Sequence, residues 1–241
     1  MDKKVSILLP LYNCEKFIIK AIESVKAQTH KNWQLIIVDD RSTDNSYKIV
    51  KEYLEKNNDD RIILKQNTKN IGCYSSLNEA LLVADGDYIT CLGSDDSFKP
   101  TKLEKQVNYL ETNLNRMAVI CLFIREGSYP DNGDVTLMFR KQVVTDIGYF
   151  DSVRFGADSE YFWRIIKKYR NSIGKISECL YVAKKRPNSL TTNKDTGNIS
   201  IRRNYIHKYS CWHNNAAAKK KLFVPYPLLE RHFPIPAIMQ P

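Results

Sequence analysis

The sequence predicts an α/β fold: a mostly parallel central sheet flanked by helices, followed by a C-terminal extension of helical and extended segments. Up to about residue 110, short β-rich runs alternate with amphipathic stretches of helical period, as sequential strand–helix units do. The strand runs are apolar enough to be covered on both faces, which a parallel sheet requires. Polar residues gather directly after these runs, where open parallel sheets bind ligands. With 241 residues, 43% of them hydrophobic and 27% charged, the chain can bury a sizeable core and reads as neither disordered nor fibrous.

The first strand is expected at Val5 to Pro10. A helix follows Asn13 and runs to about Gln28, with Phe17, Ala21 and Val25 spaced by four on its inner face. The second strand is Gln34 to Val38, and its helix starts near Asp44, a good capping residue, and ends around Asn57 and Asn58. Ile62 to Gln66 is the third strand, and the helix Tyr74 to Ala84 stops at the turn Asp85-Gly86-Asp87. Tyr88 to Leu92 is the fourth strand, and a fourth helix follows Pro100, a residue suited to a first turn.

Beyond residue 115 the pattern loosens. Met117 to Ile124 reads as a strand, Ser128 to Asp134 as a turn-rich loop and Lys175 to Ala183 as another strand. Asp158 to Tyr169 reads as a helix with Phe162, Ile165 and Ile166 on its apolar face and Trp163 in the core. Lys184 to Asn198 has few apolar anchors and is expected to be a mobile loop. The last segment combines a helix from Ile199 to about Trp212 with a tail bearing Pro225, Pro227, Pro234, Pro236 and Pro241, which favour an extended strap.

Composition narrows the function classes. No apolar run approaches the roughly 18 residues a membrane span needs, and Met1 to Lys4 leaves no room for a signal peptide before the first strand. The six cysteines are scattered without a C-x-x-C pair and read as reduced, mostly buried thiols. A cytoplasmic location is expected. His30, His207, His213 and His232 have no ligand spacing. The net charge of +10 is uneven, because residues 201–241 carry seven Lys/Arg against one acid while residues 1–100 are nearly balanced. Nucleic acid is disfavoured as a partner by that distribution. The basic tail reads as a strap on the domain, as a peripheral contact with an acidic membrane or protein surface, or as loosely ordered chain.

Four polar groups stand after the four strands: Pro10-Leu11-Tyr12-Asn13, Asp39 to Asp44, Asn67 to Gly72, and Gly93-Ser94-Asp95-Asp96. Neither G-x-G-x-x-G nor G-x-x-x-x-G-K-[ST] accompanies them, which sets aside the two common phosphate cradles built on glycine. An acidic rim cannot hold a phosphate directly. It needs a cation between, and Mg²⁺ or Mn²⁺ accepts one or two carboxylates together with phosphate oxygens and water.

The blocks Val-Ser-Ile-Leu-Leu-Pro-Leu-Tyr-Asn (5–13), Ile-Val-Asp-Asp-Arg-Ser-Thr-Asp (37–44), Asn-Ile-Gly (70–72) and Gly-Ser-Asp-Asp (93–96) resemble, in order and spacing, the family 2 glycosyltransferases. Met-Phe-Arg-Lys (138–141), Ile-Gly-Tyr-Phe-Asp (147–151) and Ala-Asp-Ser-Glu-Tyr-Phe-Trp-Arg (157–164) extend the resemblance to roughly residues 4–192. It implies a GT-A, Rossmann-like fold with a nucleotide-sugar-binding half (1–115), an acceptor-binding half (116–192) and a basic extension (193–241). It also implies a nucleoside diphosphate sugar donor, commonly of uridine, a divalent Mn²⁺ or Mg²⁺, and inverting transfer to a glycan, lipid-linked or protein-linked acceptor.

By that resemblance Tyr12, beside Pro10, stacks on the base, Asp40 accepts its ring N–H and Asp39 supports the loop. Asp95 binds the ribose and shares the metal with Asp96, and Lys69, Asn70 and Arg186 face the donor. Asp158 is the general base, with Glu160, by default a helical surface acid, in reserve. Two departures stand out: many relatives have an acid where Gly93 stands, and a histidine usual near Arg186 to Ser189 is missing. The Gln-x-x-Arg-Trp motif of processive synthases is also absent, which favours single-sugar transfer. The alternative is a non-catalytic homologue that binds nucleotide sugars or glycans.

Overall fold

One nine-stranded sheet runs through the described residues. The computed structural model describes residues 3–151, 156–187 and 189; the expected C-terminal helix and proline-bearing tail lie outside them. The first half comprises β1 (Val5–Leu11), α1 (Ile18–Lys26), β2 (Trp33–Asp39), α2 (Ser46–Asn57), β3 (Ile62–Gln66), α3 (Cys73–Leu81) and β4 (Tyr88–Cys91). Its strands lie in the order β3, β2, β1, β4, all parallel, with Ile7 opposite both Leu35 and Thr90. α1 begins later than its periodicity suggested. Asn13 takes a positive φ of 50°, and the N–H groups of Cys14 and Glu15 donate to Ser46 Oγ and Asp44 Oδ2.

The second half comprises β5 (Ser97–Phe98), α4 (Lys102–Thr112), β6 (Ala118–Arg125), β7 (Asp131–Asn132), a 3-10 turn (Asp134–Thr136), β8 (Met138–Arg140), α5 (Gln142–Ile147), α6 (Ala157–Tyr169) and β9 (Ile173–Ala183). Here the sheet becomes mixed: β8 enters antiparallel between β4 and β6, and β9 lies parallel to β6 and antiparallel to β5. The sequence pattern missed β5, β7, β8 and the 3-10 turn, which at two or three residues cannot display a period, and α5, whose six residues make fewer than two helical turns.

Strand alternation sends side chains to two cores. Val5, Ile7, Leu9 and Leu11 of β1 pack with α1 and α4, whereas Leu8, with Ile36 and Val38 of β2, packs with α3, α5 and α6. Gly86 is forced by proximity: a Cβ there would stand 2.7 Å from the Ser6 backbone nitrogen and 2.9 Å from the Lys4 carbonyl oxygen. Lys102 lies wholly inside, its Nζ donating to Gln106 Oε1 (2.7 Å) and Thr90 Oγ1 (3.2 Å), and burial lowers its pKa to about 8.

Two assignments on α6 are corrected. Trp163 is 44% exposed, so it is not a core residue; the buried face is Ala157, Tyr161 and Ile165. Glu160 is 0% exposed instead of lying on the surface. No helix among the described residues is long and apolar enough to cross a membrane. Cys14, Cys73, Cys91, Cys121 and Cys179 are free thiols, and Cys211 lies outside the described residues.

Candidate active site

The loops leaving β1 and β2 are laced together. Asn13 Oδ1 accepts the N–H of Thr43 (2.8 Å), the Asn13 N–H donates to Ser42 Oγ (3.1 Å), and Asp44 Oδ1 accepts the Ser46 N–H (2.9 Å) at the foot of α2. This holds Tyr12 at the carboxyl edge of the sheet, 43% exposed, with half-buried Pro10 behind it on β1. An exposed ring on a fixed backbone is a stacking platform for a base.

The two aspartates that end this stretch are engaged differently. Asp40, 3% exposed, accepts the N–H groups of Ile71 (2.7 Å) and Gly72 (2.8 Å) and the amide of Asn67 (2.9 Å), so its carboxylate fastens the loop that leads into α3. Asn70 adds a bond from its amide to the Asp40 carbonyl oxygen, and neighbouring Lys69 is exposed. Asp39 accepts from Ser42 N–H and Gln66 through Oδ2, while its Oδ1 is buried without a hydrogen-bond partner.

Beyond β4 the acid pair is clasped by the end of β9 and the residues after it. Asp96 Oδ2 accepts the Tyr181 hydroxyl (2.6 Å), and Oδ1 accepts the Lys184 N–H (2.8 Å). The Arg186 guanidinium pairs with Asp95 Oδ2 at 2.5 Å. Burial first, and then the charge of Asp95, push the pKa of Asp96 up to about 6. A Cβ on Gly93 would stand 2.5 Å from Asp96 Oδ2, so any side chain there requires that carboxylate to shift. Of the loop expected to be mobile over Lys184 to Asn198, Lys184 and Arg186 are thus tied to the acid pair.

Asp158 occupies the first turn of α6, whose N-cap is Gly156 at a φ of 85°. It is not itself the cap; its Oδ1 accepts the Tyr74 hydroxyl at 2.7 Å. Asp134, in the 3-10 turn, accepts from Ser159, and burial and the charge of Asp158 raise its pKa. Glu160 is corrected as a reserve base: both its oxygens bind Arg164 (3.1 and 2.6 Å) inside the core, so no acceptor reaches it. Arg164 continues to the carbonyls of Ile147 and Tyr149.

The thiol of Cys73 reports how these groups converge. Burial first, and then the charges of Asp158, Cys91, Asp40 and Asp95, raise its pKa, while Asp40 and Asp158 bond directly to the start of α3 through Ile71, Gly72 and Tyr74. Sequence reasoning missed Tyr74, Asp134 and Tyr181. A lone aromatic in an apolar run carries no signal of its own, and Asp134 stood in what reads as a turn. Asn78 behaves as a satisfier of backbone groups, donating to the Phe150 carbonyl (2.8 Å) and accepting its N–H (3.0 Å).

The donor set fits a hard divalent cation. Asp95 and Asp96 offer only oxygen, and two like-charged carboxylates packed together gain from a cation between them. Among the described residues no three His, Cys, Asp or Glu side chains form a metal-binding group. The chain would therefore lend two carboxylates, with phosphate and water completing the shell.

Comparison with known proteins gives a family and a set of relatives. The model of "Glycosyl transferase family 2" matches residues 6–155. The chain is 44% identical over 116 residues to EpsE of Bacillus subtilis, covering 48% of this chain and 41% of that protein. It is 41% identical over 108 residues to WfaP of Escherichia coli, described as a UDP-Glc:alpha-D-GlcNAc-diphosphoundecaprenol beta-1,3-glucosyltransferase, covering 45% and 41%. The chain therefore spans about two fifths of the length of these relatives. Among solved structures, S. aureus TarS 1–349 in complex with UDP-GlcNAc superposes with a TM-score of 0.72 at 21% identity, over 87% of this chain and 66% of that one. The mannosyltransferase PcManGT of Pyrobaculum calidifontis, with GDP-Man and Mn²⁺, superposes at 0.70 and 17% identity, over 91% and 74%. At such identities these likenesses establish the GT-A fold alone.

Proposed function

The chain belongs to glycosyl transferase family 2, and from that premise we propose that it transfers a single sugar, with inversion, from a uridine diphosphate sugar to an acceptor hydroxyl in glycan synthesis. The observation that carries this reading is that Asp40, through the N–H groups of Ile71 and Gly72, and Asp158, through the Tyr74 hydroxyl, both bond to the start of α3. Donor-side and acceptor-side carboxylates thus share one sheet edge. The uridine class draws support from the UDP-GlcNAc complex of TarS and the UDP-Glc in the name of WfaP. The latter name also supports a lipid-linked acceptor.

In this reading residues 1–115 hold the donor and residues 116–192 the acceptor, in a cytoplasmic enzyme. Tyr12 stacks on the base against Pro10. Asp40, whose Oδ2 keeps a lone pair beyond the one that accepts the Gly72 N–H, takes the base N–H, and buried Asp39 supports the loop. Asp95 takes the ribose, and Lys69, Asn70 and Arg186 serve the diphosphate. Asp96, with Asp95, would hold Mg²⁺ or Mn²⁺. When bound, that ion supplies the positive charge that stabilises a leaving diphosphate. Asp158 accepts the proton of the acceptor hydroxyl as its oxygen bonds to the anomeric carbon and the bond to the diphosphate breaks on the opposite face.

A thermal-shift panel of uridine, guanosine and thymidine diphosphate sugars, with and without Mn²⁺, tests this reading. A melting rise with uridine donors that needs Mn²⁺ and vanishes in Asp96→Asn is the expected result. Equal response to every nucleotide, or none in the presence of Mn²⁺, would overturn it.

A further inference from the structure

We infer that Tyr74 is the positioning residue of Asp158, fixing by its hydroxyl which carboxylate oxygen faces the acceptor; the inference rests on the proposed role of Asp158 as general base. The geometry determines the direction of the phenolic proton. Tyr74 Oη accepts the Gly156 N–H at 3.2 Å and donates to Asp158 Oδ1 at 2.7 Å. An oxygen that receives a hydrogen bond from one side directs its own hydrogen to the other. Oδ1 is thereby engaged, and Oδ2 is left to take a proton.

The ring is itself held firmly. Tyr74 is a buried residue on the first turn of α3, and its ring lies 6.4 Å from that of Phe150 in the second core. That same turn is anchored to the donor side by the bonds from Ile71 and Gly72 to Asp40. One rigid helix start thus sets the distance between the base-recognition loop and Asp158. Catalytic groups held within a fraction of an ångström by packed neighbours are worth far more than loosely placed ones.

Among the described residues, Asp134 from the 3-10 turn, Cys73 from α3 and Cys91 from β4 also face Asp158. Burial raises the pKa of Asp134 and of both thiols.

The test is a carboxyl-¹³C titration of the full chain, with the Asp158 resonance assigned by its loss in Asp158→Asn. A hydrogen bond to a charged group predicts that the Asp158 midpoint rises by about one pH unit in Tyr74→Phe. Replacing Tyr74 by 3,5-difluorotyrosine keeps the ring, makes the hydroxyl a stronger donor and moves the midpoint down. A purely structural tyrosine changes the melting temperature but neither midpoint, and unmoved midpoints overturn the inference. Turnover of UDP-sugars separates this failure from that of the underlying reading. If Asp158→Asn turns over donor as the wild type does, the general-base reading falls and this one with it. If Asp158→Asn is inactive while the midpoints stay put, this inference alone falls. With both standing, Tyr74→Phe lowers kcat about tenfold and leaves the donor KM unchanged.

Discussion

A methyl group at position 93 meets the Asp96 carboxylate at 2.5 Å, a separation no carbon and oxygen sustain. Gly93→Ala is therefore expected to turn Asp96 away from Tyr181 and to weaken Mn²⁺-dependent donor binding by about tenfold or more, read by calorimetry, since a shifted ligand loses its coordination geometry. The same reasoning applies inside α6. Arg164→Met leaves the Glu160 carboxylate buried and unpaired, a change that costs about 3–5 kcal/mol and is measured by urea denaturation. The pair was legible in principle, since Glu160 and Arg164 stand four apart on a helix. Spacing alone, however, does not say whether such a pair faces water or core. Likewise the adjacent acids Asp39 and Asp40 were legible as a pair, but which of them fastens a loop depends on amides thirty residues away.

Among the elements, the join of β4 to β1 is the least forgiving. Gly86→Ala drives a Cβ into the Ser6 nitrogen and Lys4 carbonyl, backbone atoms that cannot retreat, and a loss of roughly 1–3 kcal/mol is expected from overpacking, measurable as a lower urea midpoint. α4 carries a second expectation through Lys102. Its folded-state pKa of about 8 lies below the ordinary lysine value of 10.5, so the folded chain favours the neutral amine. That stabilisation is complete above about pH 10.5 and is lost as pH falls through 8. Denaturation at pH 8 and pH 10 is expected to show the wild type gaining stability relative to Lys102→Met. The βα units of the first half were legible because elements of four to twelve residues alternate regularly between apolar strand runs and helical spacing. β5, β7 and β8 were not, because strands of two or three residues exist only through the partners they pair with. Trp163 read as core because it is large and apolar, yet the surface of a folded chain retains many such residues.

At the scale of the molecule, ligand binding and stability are linked. A saturating uridine diphosphate sugar at a hundred times its dissociation constant adds about 2.7 kcal/mol, or roughly 5–10 °C of melting temperature for a domain of this size. Chelation with EDTA is expected to abolish most of that rise, as differential scanning fluorimetry would record. The parallel half of the sheet is built from near neighbours in sequence, but Asp95 and Asp96 are gripped by residues 85 to 91 positions further on. A ribosome delivers the chain from its amino end, so the edge carrying Tyr12 and Asp39 emerges early, whereas Tyr181, Lys184 and Arg186 follow only after β6 and α6. A nascent polypeptide therefore carries the edge bearing Tyr12 well before the clasp on its acid pair, and a product of premature termination anywhere before Tyr181 would expose two unguarded acids.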